Sequence, residues 1–402
     1  MVFLFRRQPL RSFYGLCNAL TILFIRLPVW MLTFTVPSWR PVATWTMKRS
    51  LAVTAFRAFV HGMFMTALVP LPYPKEDKPD PKEPGIAWAD PVPDLIVGEI
   101  SDYARANQVD AVRTPGFWYG PRGPNGEVGQ KASPGEKVIY HFHGGGFVLG
   151  TSRPSNKATQ TLFSGFSEHF SGDTRIFALE FRLASTPPLG DANHFPAAFI
   201  DAITGYHYLV HDLGFAPANI LLEGNSAGGL LAFSLARYLV AYRAQLPAEL
   251  GVPCGVLMSS PTLDWAASYT GPDASLTRNF QSDYTDRFFS SGYSLRALAG
   301  QLPLDLAATS AWTSPGARHA KITPGTFAGV PRTCIVSGGA EIALDAIRAF
   351  RARLEADVGT EGVTYIEVAG AAHDFLTVTW CEPERTNALR EVATWAREVW
   401  AA

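Results

Sequence analysis

Between residues 38 and 69, apolar side chains recur every three or four positions, including Leu51, Ala55, Phe59 and Met63, and this spacing predicts helix. The following run, "VPLPYPKEDKPDPKEPG" (69–85), places Pro in nearly every second or third position and reads as an exposed connector. Beyond it, short apolar runs alternate with longer helix-like ones. Strands are expected over 137–142, 175–181, 219–223, 254–259, 332–337 and 363–368. Helices are expected over 196–211, 227–244, 342–356 and 384–401. Such alternation predicts an α/β protein with a mostly parallel sheet covered on both faces. Residues 119–137 read as a long hairpin-type loop ahead of the sheet core. Between Trp265 and Trp312 the rhythm stops. That interval is rich in aromatics, Ser and Tyr, without a clear strand, and an insertion on the ligand-binding side of a sheet often forms part of a lid.

The first residues have a different pattern. Arg6, Arg7 and Arg11 precede an apolar run over 12–25, then Arg26, then a second run over 27–36. The first run alone is short for a bilayer, and the two together place Arg26 and Pro28 near the middle. A central Arg costs about 2.5–3.5 kcal/mol on insertion scales. There is a basic start but no small-x-small cleavage site to mark a secretory signal. Two readings stay open for 12–36: a membrane-associated helix, spanning or interfacial, and a helix packed on the rest of the protein.

Composition narrows the partners. The chain has 402 residues, 47% of them hydrophobic, enough for a large core. Its formal net charge is -1, and no basic block with interleaved aromatics occurs, so a nucleic-acid partner is not expected. Cys17, Cys254, Cys334 and Cys381 form no C-x-x-C pair and are widely spaced, so neither a disulfide framework nor a metal site is expected. This usage fits a reducing, intracellular compartment.

Candidate chemistry centres on "NILLEGNSAGG" (219–229). Gly224-Asn225-Ser226-Ala227-Gly228 is a G-x-S-x-G pattern between an apolar strand and an apolar helix. A sharp strand-to-helix turn would present Ser226 at its apex, beside the unpaired N–H groups of the new helix. A chance G-x-S-x-G in a loop would lack that context. A serine hydroxyl needs a base. His373, in "VAGAAHDF" (368–375), lies just past the last strand, whereas His61, His169, His194, His207, His211 and His319 lie in helical or connecting runs and take surface or packing roles by default. The base needs an orienting carboxylate. Glu341, on the loop leaving the 332–337 strand, is favoured over Asp345, one helical turn further on. "HFHGGGFVLG" (141–150) then acquires a purpose: Gly145 and Gly146, together with Ala227, can aim N–H groups at a tetrahedral oxyanion. Gly144 belongs to the same loop, and His143 is expected to hold that loop in shape. Bulkier residues at Gly145 or Gly146 should therefore damage turnover more than folding. No organic cofactor is required.

HGGG at 143–146, "EFRLAS" at 180–185, "FPAAFIDA" at 195–202, "GNSAGG" at 224–229, "SSPTLD" at 259–264 and "GAAHDF" at 370–375 together resemble the hormone-sensitive-lipase-like branch of the α/β-hydrolases, from about Val109 onward. That resemblance implies an eight-stranded, mostly parallel sheet, a serine carboxylesterase site and a helical cap built from residues 38–69 and 265–312. It divides the chain into a hydrophobic segment at 1–36, cap helices and connector at 37–95, and a catalytic domain at 96–402 with 265–312 inserted. Two departures stand out. Asn225 occupies a position that is commonly Asp, and Glu341-Ile342 replaces the common Asp-Pro. The hydrophobic first segment resembles membrane-associated members such as steryl acetyl hydrolases, which bears on substrate alone and points to an acetylated or acylated hydrophobic metabolite. The expected location is intracellular, at the endoplasmic reticulum or otherwise membrane-associated through the N-terminus. The expected activity is hydrolysis of hydrophobic small-molecule or lipid-like esters through an acyl-enzyme. An acyltransferase, lactonase or cyclase would use the same nucleophile chemistry. A non-catalytic receptor like the plant gibberellin receptors would lack the histidine that this chain has at 373.

Overall fold

A computed structural model describes residues 2–78, 83–170, 172 and 174–401. Eight strands form one sheet: β1 (Ile86–Ala89), β2 (Thr114–Tyr119), β3 (Val138–Phe142), β4 (Arg175–Leu179), β5 (Ile220–Asn225), β6 (Gly255–Ser259), β7 (Thr333–Gly338) and β8 (Val363–Val368). Their spatial order is β1-β2-β4-β3-β5-β6-β7-β8. β2 runs antiparallel to both neighbours, and every pairing from β4 through β8 is parallel.

Side-chain alternation explains how the sheet holds two helical layers apart. Successive residues of a strand point to opposite faces. In β3, Tyr140 and Phe142 enter one core and Ile139 the other. The first core joins the sheet to the helices Ala197–His207, Ala227–Ala241 and Leu344–Val358 through Phe199, Phe233 and Phe350. The second joins it to Lys157–His169 and Glu384–Ala401 through Phe163, Phe166, Leu389 and Trp395. Because both faces are covered, the central strands are apolar throughout, and this is why their sequences read as continuous runs.

The two strands absent from the sequence reading are the least regular. β1 has four residues and is mostly half-buried. β2 contains Pro115 and Gly116, both poor strand formers. The sheet needs that glycine, because a Cβ at 116 would lie 2.3 Å from the Phe177 ring. β4 separates β2 from β3, so residues 119–137 are a crossing connection rather than a hairpin loop. β1 also places the start of the sheet inside 37–95, the segment read as cap helices and connector.

Over one end of the sheet lie the Met47–Met65 helix and the interval after β6, which contains four short helices: Ser275–Arg278, Asp286–Ser290, Tyr293–Ala299 and Leu304–Thr309. Thr46 caps the Met47–Met65 helix by accepting the Arg49 N–H. His61 Nε2 lies 2.7 Å from Asp286 Oδ1, and Arg57 Nε reaches the same oxygen at 3.5 Å, so the two parts of this cover are clasped together. The Leu10–Thr33 helix, with one π-helical turn at Ile22–Arg26, lies outside, and none of its residues is fully buried.

Candidate active site

The candidate residues lie at or just past the carboxyl ends of parallel strands, where open α/β sheets bind their ligands. Ser226 follows β5 directly and begins the Ala227–Ala241 helix. Its backbone has φ +54° and ψ -118°, a conformation rarely adopted by a residue with a side chain. The tight turn is fixed by Ser226 N–H donating to the Ser259 carbonyl at 2.8 Å and Thr262 N–H donating to the Ser226 carbonyl at 3.0 Å. Glycine is needed on either side. A Cβ at Gly224 would lie 2.2 Å from the Gly228 carbonyl oxygen, and one at Gly228 would lie 2.0 Å from that of Phe142.

The structure brings Ser226, His373 and Glu341 together. Ser226 Oγ is 3.0 Å from His373 Nε2, and His373 Nδ1 is 2.8 Å from Glu341 Oε2. An ionised carboxylate only accepts, so Nδ1 carries the ring proton and Nε2 accepts from the serine hydroxyl. Glu341 is fully buried, and its other oxygen accepts the Gly338 N–H at 2.7 Å. Asp345 is elsewhere. Its carboxylate accepts the Ser275 N–H at 2.7 Å and holds the start of the Ser275–Arg278 helix.

Around the serine, the 143–150 loop turns back on itself through Val148 and Leu149 N–H groups, which both donate to the Gly145 carbonyl. Among the described residues, no hydrogen bond occupies the N–H of Gly145, Gly146 or Ala227. His143 Nδ1 donates to the Gly144 carbonyl at 2.7 Å, and its ring stacks on Phe181 with centroids 4.1 Å apart. Burial pushes its pKa down to about 3, so it is a neutral brace.

Asn225 joins two loops. Its Oδ1 accepts the Gly144 N–H at 3.1 Å, and its Nδ2 donates to Asp374 Oδ2 at 2.8 Å. Sequence reasoning missed Asp374, although it adjoins His373. It also missed Thr262, whose Oγ1 is 3.1 Å from Ser226 Oγ, and Tyr284, whose hydroxyl donates to the His373 carbonyl at 2.8 Å. Thr262 lies in the quoted "SSPTLD" stretch, which was the available signal. Tyr284 and Asp283 come from the interval between β6 and β7, where no local pattern announces them. Asp283 Oδ2 accepts the Ile342 N–H at 2.8 Å and so holds the Glu341 loop.

The local charges act on the histidine. Burial alone would lower its pKa, but the Asp374 charge and the Glu341 hydrogen bond and charge outweigh burial and hold the imidazole above its ordinary 6.5. Asp374 Oδ2 stands 3.9 Å from His373 Nε2. Burial raises the pKa of Glu341 itself, with His373 opposing the rise.

A cavity of about 270 Å³ opens onto Ser226 and His373. One wall is apolar, with Phe56, Val60 and Met63 from the Met47–Met65 helix facing Trp265, Phe288 and Phe289 from the inserted segment. The lining also includes the polar side chains of Asn225, Asp374, Thr151, Asn156 and Thr377.

The α/β-hydrolase fold family matches residues 139–377. An esterase from Acinetobacter venetianus is 27% identical over 275 residues, covering 68% of this chain and 79% of that protein. Human hormone-sensitive lipase is 31% identical over 121 residues, 29% of this chain and 10% of its own length. The crystal structure of EstE5-PMSF superposes with a TM-score of 0.52 at 26% identity, over 72% of this chain and 82% of that one.

Proposed function

The chain belongs to the α/β-hydrolase fold family, in its hormone-sensitive-lipase-like branch, and from that premise we propose how its own residues carry out serine carboxylester hydrolysis. Ser226 Oγ attacks the ester carbonyl carbon as His373 Nε2 takes its proton. Glu341 holds the imidazole in the required tautomer and stabilises the imidazolium. The carbonyl oxygen, now an oxyanion, accepts from Gly145, Gly146 and Ala227 N–H groups. Losing one such donor typically costs about 3–4 kcal/mol of transition-state stabilisation. His373 then protonates the departing alkoxide, and the alcohol leaves an acyl-Ser226. Water, deprotonated by His373, attacks the acyl carbon, and the acid departs with Ser226 Oγ reprotonated.

The observation that carries this reading is the line of contacts from Ser226 Oγ through His373 to Glu341, at 3.0 and 2.8 Å, beside three unoccupied N–H donors. The aromatic wall of the cavity supports a hydrophobic small-molecule or lipid-like ester as substrate. We include contact with an internal membrane through residues 12–36. The support is an apolar helix of 24 residues with no buried position. The direct test is hydrolysis of p-nitrophenyl acetate by the parent and Ser226→Ala. A variant that retained the parent rate would remove the proposed nucleophile.

A further inference from the structure

A helix of 24 residues is about 36 Å long, enough for a bilayer core of about 30 Å. Spanning would put its two ends on opposite sides of the membrane. Yet both ends are fastened to the same folded body. Ahead of the helix, Phe3 is fully buried, its N–H donates to the Phe64 carbonyl at 2.7 Å, and the Phe5 N–H donates to the Met65 carbonyl at 2.9 Å. The Phe3 ring also packs against Tyr293, with centroids 4.9 Å apart. After the helix, Phe34 is buried, and Arg40 donates to the Phe34 carbonyl at 2.9 Å and the Trp45 carbonyl at 2.6 Å. Trp45 is buried in turn, and its indole N–H donates to the Gly370 carbonyl at 2.6 Å. The Leu10–Thr33 helix therefore runs antiparallel along Met47–Met65, and Asn18 rests against Gly62, near the end of that helix.

Its outward face is apolar, unlike that of a helix on a water-soluble surface. Over the first turns, the half-buried side mixes Tyr14, Cys17, Asn18, Thr21 and Ile22, while Phe13, Leu16, Leu20 and Phe24 are exposed. Phe24 is 68% exposed, and Leu32 further along is 73% exposed. An apolar strip of this length on the outside of a protein calls for a partner. Charge indicates which. Ahead of Glu76 the chain contains nine Lys and Arg residues and no Asp or Glu. Arg7, Arg26 and Lys48 are exposed and pair with no carboxylate among the described residues. Apolar immersion with flanking cations is the chemistry of a helix lying in the interface of an anionic bilayer.

We propose that the Leu10–Thr33 helix lies in the plane of an anionic lipid surface with its outward face immersed, and does not cross the bilayer. This deepens the ester-hydrolase reading and rests on it for the substrate: the neighbouring Met47–Met65 helix presents exposed Phe59 and lines the cavity with Phe56, Val60 and Met63. A hydrophobic ester dissolved in the same lipid would reach Ser226 past that helix.

The test uses the full chain. Purified protein is floated with vesicles of phosphatidylcholine alone and with about one-third phosphatidylserine. Binding at least tenfold stronger to the anionic vesicles is expected, with loss of that binding in Leu20→Asp/Phe24→Asp. Equal binding to both vesicle types, binding to neither, or an undiminished double variant would overturn the proposal. Topology is read in sealed membranes from expressing cells, with an impermeant maleimide and single probes at Gln8→Cys and Ser38→Cys. Both probes are expected to react from one side, and protection of only one would show a spanning helix. Hydrolysis of soluble p-nitrophenyl acetate is measured on every variant. The double variant is expected within about threefold of the parent, which separates failure of the membrane proposal from failure of the catalytic one.

Discussion

Asn225→Asp would replace one amide nitrogen by oxygen and test how the 143–150 loop is tied to the loop that carries His373. In the parent, the amide donates to Asp374 Oδ2 at 2.8 Å while accepting the Gly144 N–H. A carboxylate at 225 would still accept from Gly144 but would face a second carboxylate. Two charges at that separation repel by on the order of 6 kcal/mol at an effective dielectric constant of 20, or roughly four pK units. The pair would therefore keep one shared proton near neutrality and lose it as the pH rises. While the proton is present, an O–H···O bond replaces the amide bond and activity survives. Once it leaves, the two loops repel. Losing a hydrogen bond to a charged group costs about 1.5–3 kcal/mol, which is roughly 10–150-fold in kcat/KM. The assay is kcat/KM for p-nitrophenyl acetate from about pH 6 to 9.5, with the uncatalysed rate subtracted. The single variant should show a new fall on the alkaline side. Asn225→Asp/Asp374→Asn reverses the donor and acceptor, and should remove that fall and return to within about threefold of the parent. A single variant with the parent profile throughout would refute the coupling.

Other outcomes follow from the same contacts. Glu341→Ala should lower kcat by about ten-thousandfold, whereas Asp345→Ala should leave kcat within about threefold and reduce only thermal stability, since it loses the Ser275 contact. Because the proposed mechanism needs His373 neutral and its pKa is held up by Asp374 and Glu341, activity should appear only as the pH rises above the ordinary imidazole range. Asp374→Asn should move that acid limb to lower pH in a kcat/KM profile. Gly145 and Gly146 should separate. A Cβ at Gly146 lies 2.6 Å from the Phe288 ring and one at Gly145 lies 2.2 Å from the Leu149 carbonyl oxygen. Gly146→Ala can shift a side chain and should mainly reduce kcat. Gly145→Ala meets backbone and should also lower Tm by several degrees, contrary to the expectation that both positions matter chiefly for turnover.

What the sequence revealed depended on how local the signal was. Ser226 and the strand before it are legible because a two-face-buried strand, a glycine-flanked turn and an apolar helix follow one another within about twenty residues. Glu341 could be favoured over Asp345 because a strand-end loop and the next helical turn point differently, and only Glu341 meets the imidazole. β2 was lost because Pro115 and Gly116 contradict strand propensity, and the reason for the glycine, the Phe177 ring, lies on another strand. The Asn225 link to Asp374 joins residues 149 positions apart, so no window of sequence contains it. The Leu10–Thr33 helix had the right composition for either a membrane or a packed position. Its orientation depends on Phe3, held by Phe64 and Tyr293, and on Phe34, held by Arg40.

Covalent trapping tests the central claim most directly. The full chain is mixed with a slowly deacylating aryl ester, quenched in acid within the first turnover, and analysed by intact mass and peptide mapping. One acyl group per chain on Ser226, absent in Ser226→Ala, is the expected result. An acyl group on another residue, or turnover by Ser226→Ala at the parent rate, would contradict the assignment.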